Sequence, residues 1–241
     1  MKITNKTLIS FLAIGIMASF SCNSNTSKKE ESSTVTADTT ATTTSKSASE
    51  FKPFNVALLT NTVKDYAKMR TVFDADSNNR KANGMETIVV GREIDKPNNI
   101  LIGFAISDVQ KTKGFFKSPK LKEAMQKAGV ISKSDVLFLD VIRFNKDSKE
   151  KQWVDVTHKV KDFDAWLKVF DAEGSAKRAS DGLVDVVLAR GVDDSNLVHL
   201  VFDITDMAKA KASMISAEKK KLMMSAGVQG TPKIEFYKEA E

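Results

Sequence analysis

His199 is one of only two histidines in the 241 residues, and it stands in the run Leu197-Val198-His199-Leu200-Val201-Phe202-Asp203-Ile204. Side chains of a strand alternate between its faces. Val198, Leu200, Phe202 and Ile204 therefore form an apolar face, and His199, Val201 and Asp203 share the other. An imidazole and a carboxylate on one face can act as an acid or base with an orienting partner, which makes His199 and Asp203 the candidate catalytic pair. The plainer alternative is that the two satisfy one another at a wet sheet edge. The same alternation puts Asp155 and Thr157, with Trp153, on the open face of Trp153 to Val160, and Glu235 and Tyr237 on that of Ile234 to Lys238. His158, the second histidine, falls on the opposite face with Val154, Val156 and Val160, and reads as hydrogen-bonded near a helix start.

Several chemistries are excluded by what the chain lacks. The single cysteine, Cys22, lies in an N-terminal leader, and two histidines cannot supply a zinc site of the usual kind, so no metal site is expected. No glycine-rich phosphate loop follows a strand, and no serine nucleophile elbow is present. The formal charge of +6 is modest, and lysines such as Lys117, Lys120, Lys122 and Lys219 to Lys221 are spread over both halves as solvated helix faces, which argues against nucleic acid. Arg92 and Arg190, at equivalent strand ends, could bind an anionic ligand, but read first as ion pairs with Asp95 and Asp193.

These side chains are positioned by a sequence that says the same thing twice. Val63-Lys64-Asp65-Tyr66 running to Val72-Phe73-Asp74-Ala75 returns as Val160-Lys161-Asp162-Phe163 running to Val169-Phe170-Asp171-Ala172. The echo continues to Ala128-Gly129-Val130 and Phe138, which return as Ala226-Gly227-Val228 and Phe236, with Asp181 read as the one inserted residue. Such a spacing suits two copies of a small domain, here residues 51–146 and 151–241. In the second copy Trp153 to Val160 alternates as a strand, and Asp162 caps a helix carrying Phe163, Trp166, Val169 and Phe170 on one face. Strands at Leu183 to Arg190 and Leu197 to Ile204 follow, then a helix capped by Asp206 that breaks near Ser216 before a lysine-rich turn, and last the strand Ile234 to Lys238. The first copy repeats the order, with strands near Phe54 to Val63, Met85 to Arg92, Ile100 to Ile106 and Val136 to Phe144.

An order of β-α-β-β-α-β is the ferredoxin-like split motif, an antiparallel sheet with both helices on one face. Its other face is uncovered. The expected architecture is α+β, with the two copies pairing their open faces as an internal pseudo-dimer. The first strand then lies between the third and the last, so Asp155, Thr157, His199, Asp203, Glu235 and Tyr237 converge. Their counterparts in the first copy, Leu58, Thr60, Leu101, Ala105, Leu137 and Leu139, are mostly apolar. A greasy wall facing a polar wall suits a small, partly apolar ligand, with Leu58 and Leu101 as apolar contacts.

The run Val156-Thr157-His158-Lys159-Val160-Lys161-Asp162-Phe163-Asp164-Ala165-Trp166, with Arg190-Gly191-Val192-Asp193-Asp194 and Ala226-Gly227-Val228, resembles the antibiotic biosynthesis monooxygenase-like domains of the dimeric α/β-barrel superfamily. The resemblance covers nearly all of Phe51 to Glu241, twice over, and implies two ferredoxin-like units paired sheet to sheet as an intramolecular barrel. It also implies a range of activities, from cofactor-independent oxygenases and haem-degrading enzymes to members without known activity. His199 or His158 could then be a haem ligand, but nothing else in the chain favours one, and no cofactor is expected.

Lys2 and Lys6 precede the apolar run Leu8 to Ala18, and small residues lead to Cys22, so residues 1–21 read as a bacterial lipoprotein signal peptide with Cys22 as the lipidated first mature residue. Residues 22–50, rich in Ser and Thr, form a tether that cannot bury enough apolar surface to fold. Within it Lys29-Glu30-Glu31 resembles a signal for the outer face of the outer membrane, against the reading of ordinary solvated charge. Three functions stand open: an envelope-anchored binding module, a cofactor-free oxygenase or isomerase-like enzyme using His199, and an interaction module without a site. A filled, dry interface between the sheets favours the third.

Overall fold

A computed structural model describes residues 51–240, so the signal peptide, Cys22 and the tether with Lys29-Glu30-Glu31 lie outside the described residues. The first copy runs β1 (Phe54–Thr62), α1 (Tyr66–Ala75), α2 (Ser77–Ala82), β2 (Met85–Glu93), β3 (Asn99–Ile106), α3 (Val109–Phe116), α4 (Pro119–Lys127) and β4 (Asp135–Phe144). The second runs β5 (Gln152–Val160), α5 (Phe163–Glu173), α6 (Ser175–Ser180), β6 (Leu183–Gly191), β7 (Leu197–Ile204), α7 (Met207–Met214), α8 (Ala217–Ser225) and β8 (Val228–Glu239). Four helices begin where the sequence places an aspartate. The carboxylates of Asp65, Asp108, Asp162 and Asp206 each accept from the backbone N–H three residues on, satisfying a donor that the first helical turn leaves free.

Each copy is the split motif, and the two sheets close on each other in the order β1-β3-β2-β8-β5-β7-β6-β4. The open faces meet as expected, and the edges also join. β2 pairs with β8 from Gly91↔Glu239 to Glu93↔Tyr237, and β4 pairs with β6 from Leu139↔Gly191 to Phe144↔Val187. Closure leaves no unpaired edge. Reciprocal ion pairs also tie the copies: Lys113 meets Asp193 at 2.5 Å, and the equivalent Lys211 meets Asp95 at 3.4 Å. Asp95 and Asp193 are thus not the partners of Arg92 and Arg190. Those guanidinium groups lie over the rings of Tyr66 and Phe163, at 4.4 and 4.8 Å.

Three apolar cores result. Ala57, Leu59, Ile102 and Phe104 pack under the helices of the first copy, Val154, Val156, Trp166 and Leu200 under those of the second, and Val56, Leu58, Leu101, Leu139, Trp153 and Tyr237 between the sheets.

Local details depart from the sequence reading. The lysine-rich turn is the helix α8, capped by Ser216, whose hydroxyl accepts from the N–H of Lys219. β8 starts at Val228, six residues before Ile234. Its register against β5 jumps from Thr157↔Lys233 to Lys159↔Gln229, and Gly230 in the bulge has φ +68, so Gly230 and Pro232 punctuate the strand without ending it. The inserted residue sits at Gly174, between α5 and α6, because Arg80 and Arg178 are equivalent: each donates to the carbonyl of Phe73 or Phe170 and lies over that ring.

Candidate functional site

On the barrel axis β1, β3 and β4 bring Leu58, Thr60, Leu101, Asp135 and Leu137 against Asp155, Thr157, His199, Lys233 and Glu235 from β5, β7 and β8. The ten are five equivalent pairs, so this cavity straddles the axis relating the copies. The greasy and polar walls inferred from sequence face one another here. Thr157 Oγ1 lies 2.8 Å from His199 Nδ1, and His199 Nε2 lies 3.9 Å from Asp155 Oδ2. Among the described residues, His199 Nε2 and Asp155 Oδ1 have no hydrogen-bond partner.

The separation of 3.9 Å falls within ion-pair range, but both groups are neutral near pH 7. Burial, aided by the Glu235 carboxylate, pushes the Asp155 carboxyl up to about 8, with Trp153 and Lys233 opposing. Burial, aided by Lys233 and His158, pushes the His199 imidazole down to about 4. Desolvation outweighs attraction where neither ring nor carboxyl has a full set of hydrogen bonds. The volume of the cavity is about 20 Å³. One water requires roughly 10–15 Å³ of such space, so there is room for a group of water size and not for a drug-sized ligand.

Six of the candidate residues therefore meet: Asp155, Thr157, His199, Glu235, Leu58 and Leu101. Asp203 and Tyr237 do not join them. Asp203 lies four residues along β7, roughly 13 Å by strand rise, opposite Trp153, and accepts from the Ser148 hydroxyl at 2.6 Å. It cannot orient His199. Tyr237 stacks on Trp153 with ring centroids 5.9 Å apart, and burial, with the charges of Glu235, Asp155 and Glu93, pushes its phenol above the usual range, so it serves as a plug and not as a base.

Larger apolar cavities lie on the other side of each sheet, under the helices. That of the second copy, about 60 Å³, is walled by Trp166, Phe170, Leu200, Phe202, Met214 and Met223, and His158 stands in it. Trp166 stacks on Phe170 at 5.2 Å and meets the edge of the His158 ring at 5.6 Å. Neither ring nitrogen of His158 has a hydrogen-bond partner among the described residues, and burial pushes its imidazole down to about 4. The hydrogen bond expected near the helix start is not formed. At one end of the cavity the Lys219 ammonium bonds Glu173, which also meets Arg178 at 3.4 Å. The first copy has a similar cavity of about 70 Å³, with Asn61, Met69 and Leu121 in place of His158, Trp166 and Lys219. Sequence reasoning missed this cavity; the signal that could have found it is a lone histidine within the apolar face Val154-Val156-Val160.

No protein-family model matches the sequence, and no curated protein matches it. Solved structures do. An anthrone oxidase-like protein superposes with a TM-score of 0.57 at 14% identity, covering 78% of this chain and 92% of its own. A protein provisionally named a monooxygenase from Fusobacterium nucleatum gives 0.53 at 12%, and another from Lactobacillus acidophilus 0.51 at 11%, each covering 78% of this chain and 93% of its own. The chain has their fold. The α+β, ferredoxin-like barrel expected from the resemblance is thereby established, and both copies are matched within one neighbouring chain, since 78% of this chain is nearly all of the described residues.

Proposed function

We propose that the protein is an exported binding module, held to the bacterial envelope by lipid on Cys22, whose ligand is a small, largely apolar molecule carrying a hydrogen-bonding group. The ligand lies under the helices of the second copy. The observation that carries this is His158, buried and, among the described residues, without a partner for either nitrogen in a cavity of about 60 Å³ that is walled mostly by apolar side chains and closed at one end by the mutually paired Glu173, Arg178 and Lys219. A mostly apolar cavity with few polar groups is the usual form of a small-molecule site. The space between the sheets, where the sequence first placed the ligand, is too small for it. The signal pattern ending at Cys22 supports the envelope location.

Cofactor-free oxygenase chemistry is the second reading, favoured by the names of the neighbouring structures. An imidazole held at about 4 is a weak base near pH 7, which favours holding a ligand over abstracting its proton.

Fluorescence tests the reading, using acetone as a small probe with one carbonyl and two methyl groups, of a size to suit a cavity of about 60 Å³. Trp166 lies in the cavity wall and Trp153 in the barrel. Saturable quenching that disappears in Trp166→Met and weakens about tenfold in His158→Asn is expected, as one hydrogen bond in an apolar site is worth about 1–3 kcal/mol. Quenching that survives in Trp166→Met and His158→Asn alike would place the probe elsewhere and overturn the reading.

A further inference from the structure

His199 and Asp155 are 2% and 4% exposed, and each aims an unpartnered polar atom into the axial cavity. Across from them stand Leu58, Leu101 and Leu137. A buried carboxyl with an unsatisfied oxygen costs stability. The first copy has leucine at the equivalent position, so the barrel has no structural need of the acid.

The charges around the cavity do not balance. Three carboxyl groups face it, Asp155 from β5, Glu235 from β8 and Asp135 from β4, and one ammonium, Lys233 from β8, answers them at 2.9 Å from Glu235 and 4.0 Å from Asp135. His199, from β7, is neutral, β1 and β3 contribute only Thr60 and leucines, and His158 lies on the other face of β5. Burial, with the Glu235 carboxylate adding to it, keeps the proton on Asp155 and spares the cavity one of these negative charges. A proton on a buried carboxyl and a cation beside it are alternatives, because either removes the uncompensated charge.

We propose that the axial cavity is a binding site for a small primary ammonium ion, about the size of methylammonium. Its N–H groups donate to the Asp155 carboxylate and His199 Nε2, and its carbon lies against Leu58, Leu101 and Leu137. The space takes a nitrogen of water size as it stands, and Lys233, half-exposed at the mouth, can swing outward to admit the methyl. Among the described residues no three His, Cys, Asp or Glu side chains are grouped to hold a metal ion, which favours an organic cation. Binding exchanges one positive charge for another: the ammonium ion enters, and the Asp155 carboxyl releases its proton to solvent.

Titration calorimetry of the full chain with methylammonium chloride, in two buffers of different ionisation heat, tests this. Affinity should rise up to about tenfold per pH unit until Asp155 is ionised in the free protein, with a buffer-dependent heat that reports the released proton. Asp155→Asn should abolish the pH dependence and weaken binding at least about tenfold. Asp155→Leu, which places in the second copy the residue that the first already carries, should abolish binding while the barrel folds. Tetramethylammonium, which has no N–H, should give no heat. No heat from methylammonium beyond that of sodium chloride, or equal binding by wild type and Asp155→Leu, would overturn the proposal.

Discussion

Leu58 and Asp155 occupy the same position in the two copies and line one cavity on the barrel axis from opposite sides. Two identical chains around that axis would place two leucines or two carboxyls there. Covalent fusion removes the symmetry. Polar groups gather on one half of the axis, Asp155, His199 and Glu235, and the other half supplies Leu58, Leu101 and Leu137.

The asymmetry sets how stability depends on pH. The Asp155 carboxyl rises from 3.8 in the unfolded chain to about 8 when folded, so the folded state binds the extra proton between these values and loses stability as pH climbs through them. His158 and His199 fall from 6.5 to about 4, so the unfolded state binds more protons there and stability is lost as pH falls from 6.5 toward 4. Two histidines outweigh one aspartate on the acid side, and Asp155 acts alone between 6.5 and 8. Urea midpoints should therefore peak near pH 6.5. Asp155→Leu should flatten the fall toward pH 8 and add on the order of 4 kcal/mol at pH 7. An equal fall in wild type and variant would assign that limb to other groups.

The parts of this structure that were legible in the sequence are those fixed by local rules. Asp162 and Asp206 mark helix starts because a short carboxylate three residues before a free N–H caps it in any context. Alternation gave the correct face for His199, Thr157 and Glu235. It failed for Asp203, because a face is not a position along the barrel, and the roughly 13 Å of strand between Asp203 and His199 is invisible in a pattern of period two. Joining β2 to β8 depends on how far each sheet twists, a property of the assembled copies and not of any segment. His158 lies on the face that alternation assigns it but lacks, among the described residues, the hydrogen bond expected near the helix start, since a polar residue at a strand end, here matched by Asn61 in the first copy, need not be satisfied.

Gly91 makes room for the aromatic plug. A Cβ there would lie 2.6 Å from Cζ2 and 2.7 Å from Cη2 of Trp153, which stacks on Tyr237. The first-copy counterpart of Trp153 is the smaller Val56, and the position equivalent to Gly91 is the larger Ala189, so volume is traded between them. Gly91→Ala should cost about 1–3 kcal/mol by overpacking, and Trp153→Val in the same chain should recover part of that loss. Thermal midpoints of the two single variants and the double variant measure the coupling, and simple additivity would show that the two residues do not compete for space.

The proposed anchor on Cys22 predicts where the protein is found. Cys22→Ser removes the thiol that would be acylated, and the chain should then shift from the membrane fraction to the soluble fraction of lysed cells. Unchanged membrane association would mean that something other than lipid on Cys22 holds it.

Arg178 and Arg80 are equivalent, buried, and placed over Phe170 and Phe73, but their charges are answered differently. Arg178 makes two bonds of 2.6 Å to Asp185 and meets Glu173 at 3.4 Å, which holds its guanidinium above the usual range despite burial. Arg80 has Asp76 at 3.9 Å, and burial pushes it below. Removing one member of a buried, bonded charge network strands the others. Arg178→Met should therefore cost about 2–3 kcal/mol, chiefly by leaving the buried Glu173 with Lys219 alone, since water can reach the part-exposed Asp185. Arg80→Met gives up one hydrogen bond to a carbonyl and a weak ion pair, and should cost about 1–2 kcal/mol. Chemical denaturation of both variants gives the order; packing over the ring is common to both and cancels, so an equal or larger loss for Arg80→Met would show that the carboxylates around Arg178 add no net stability.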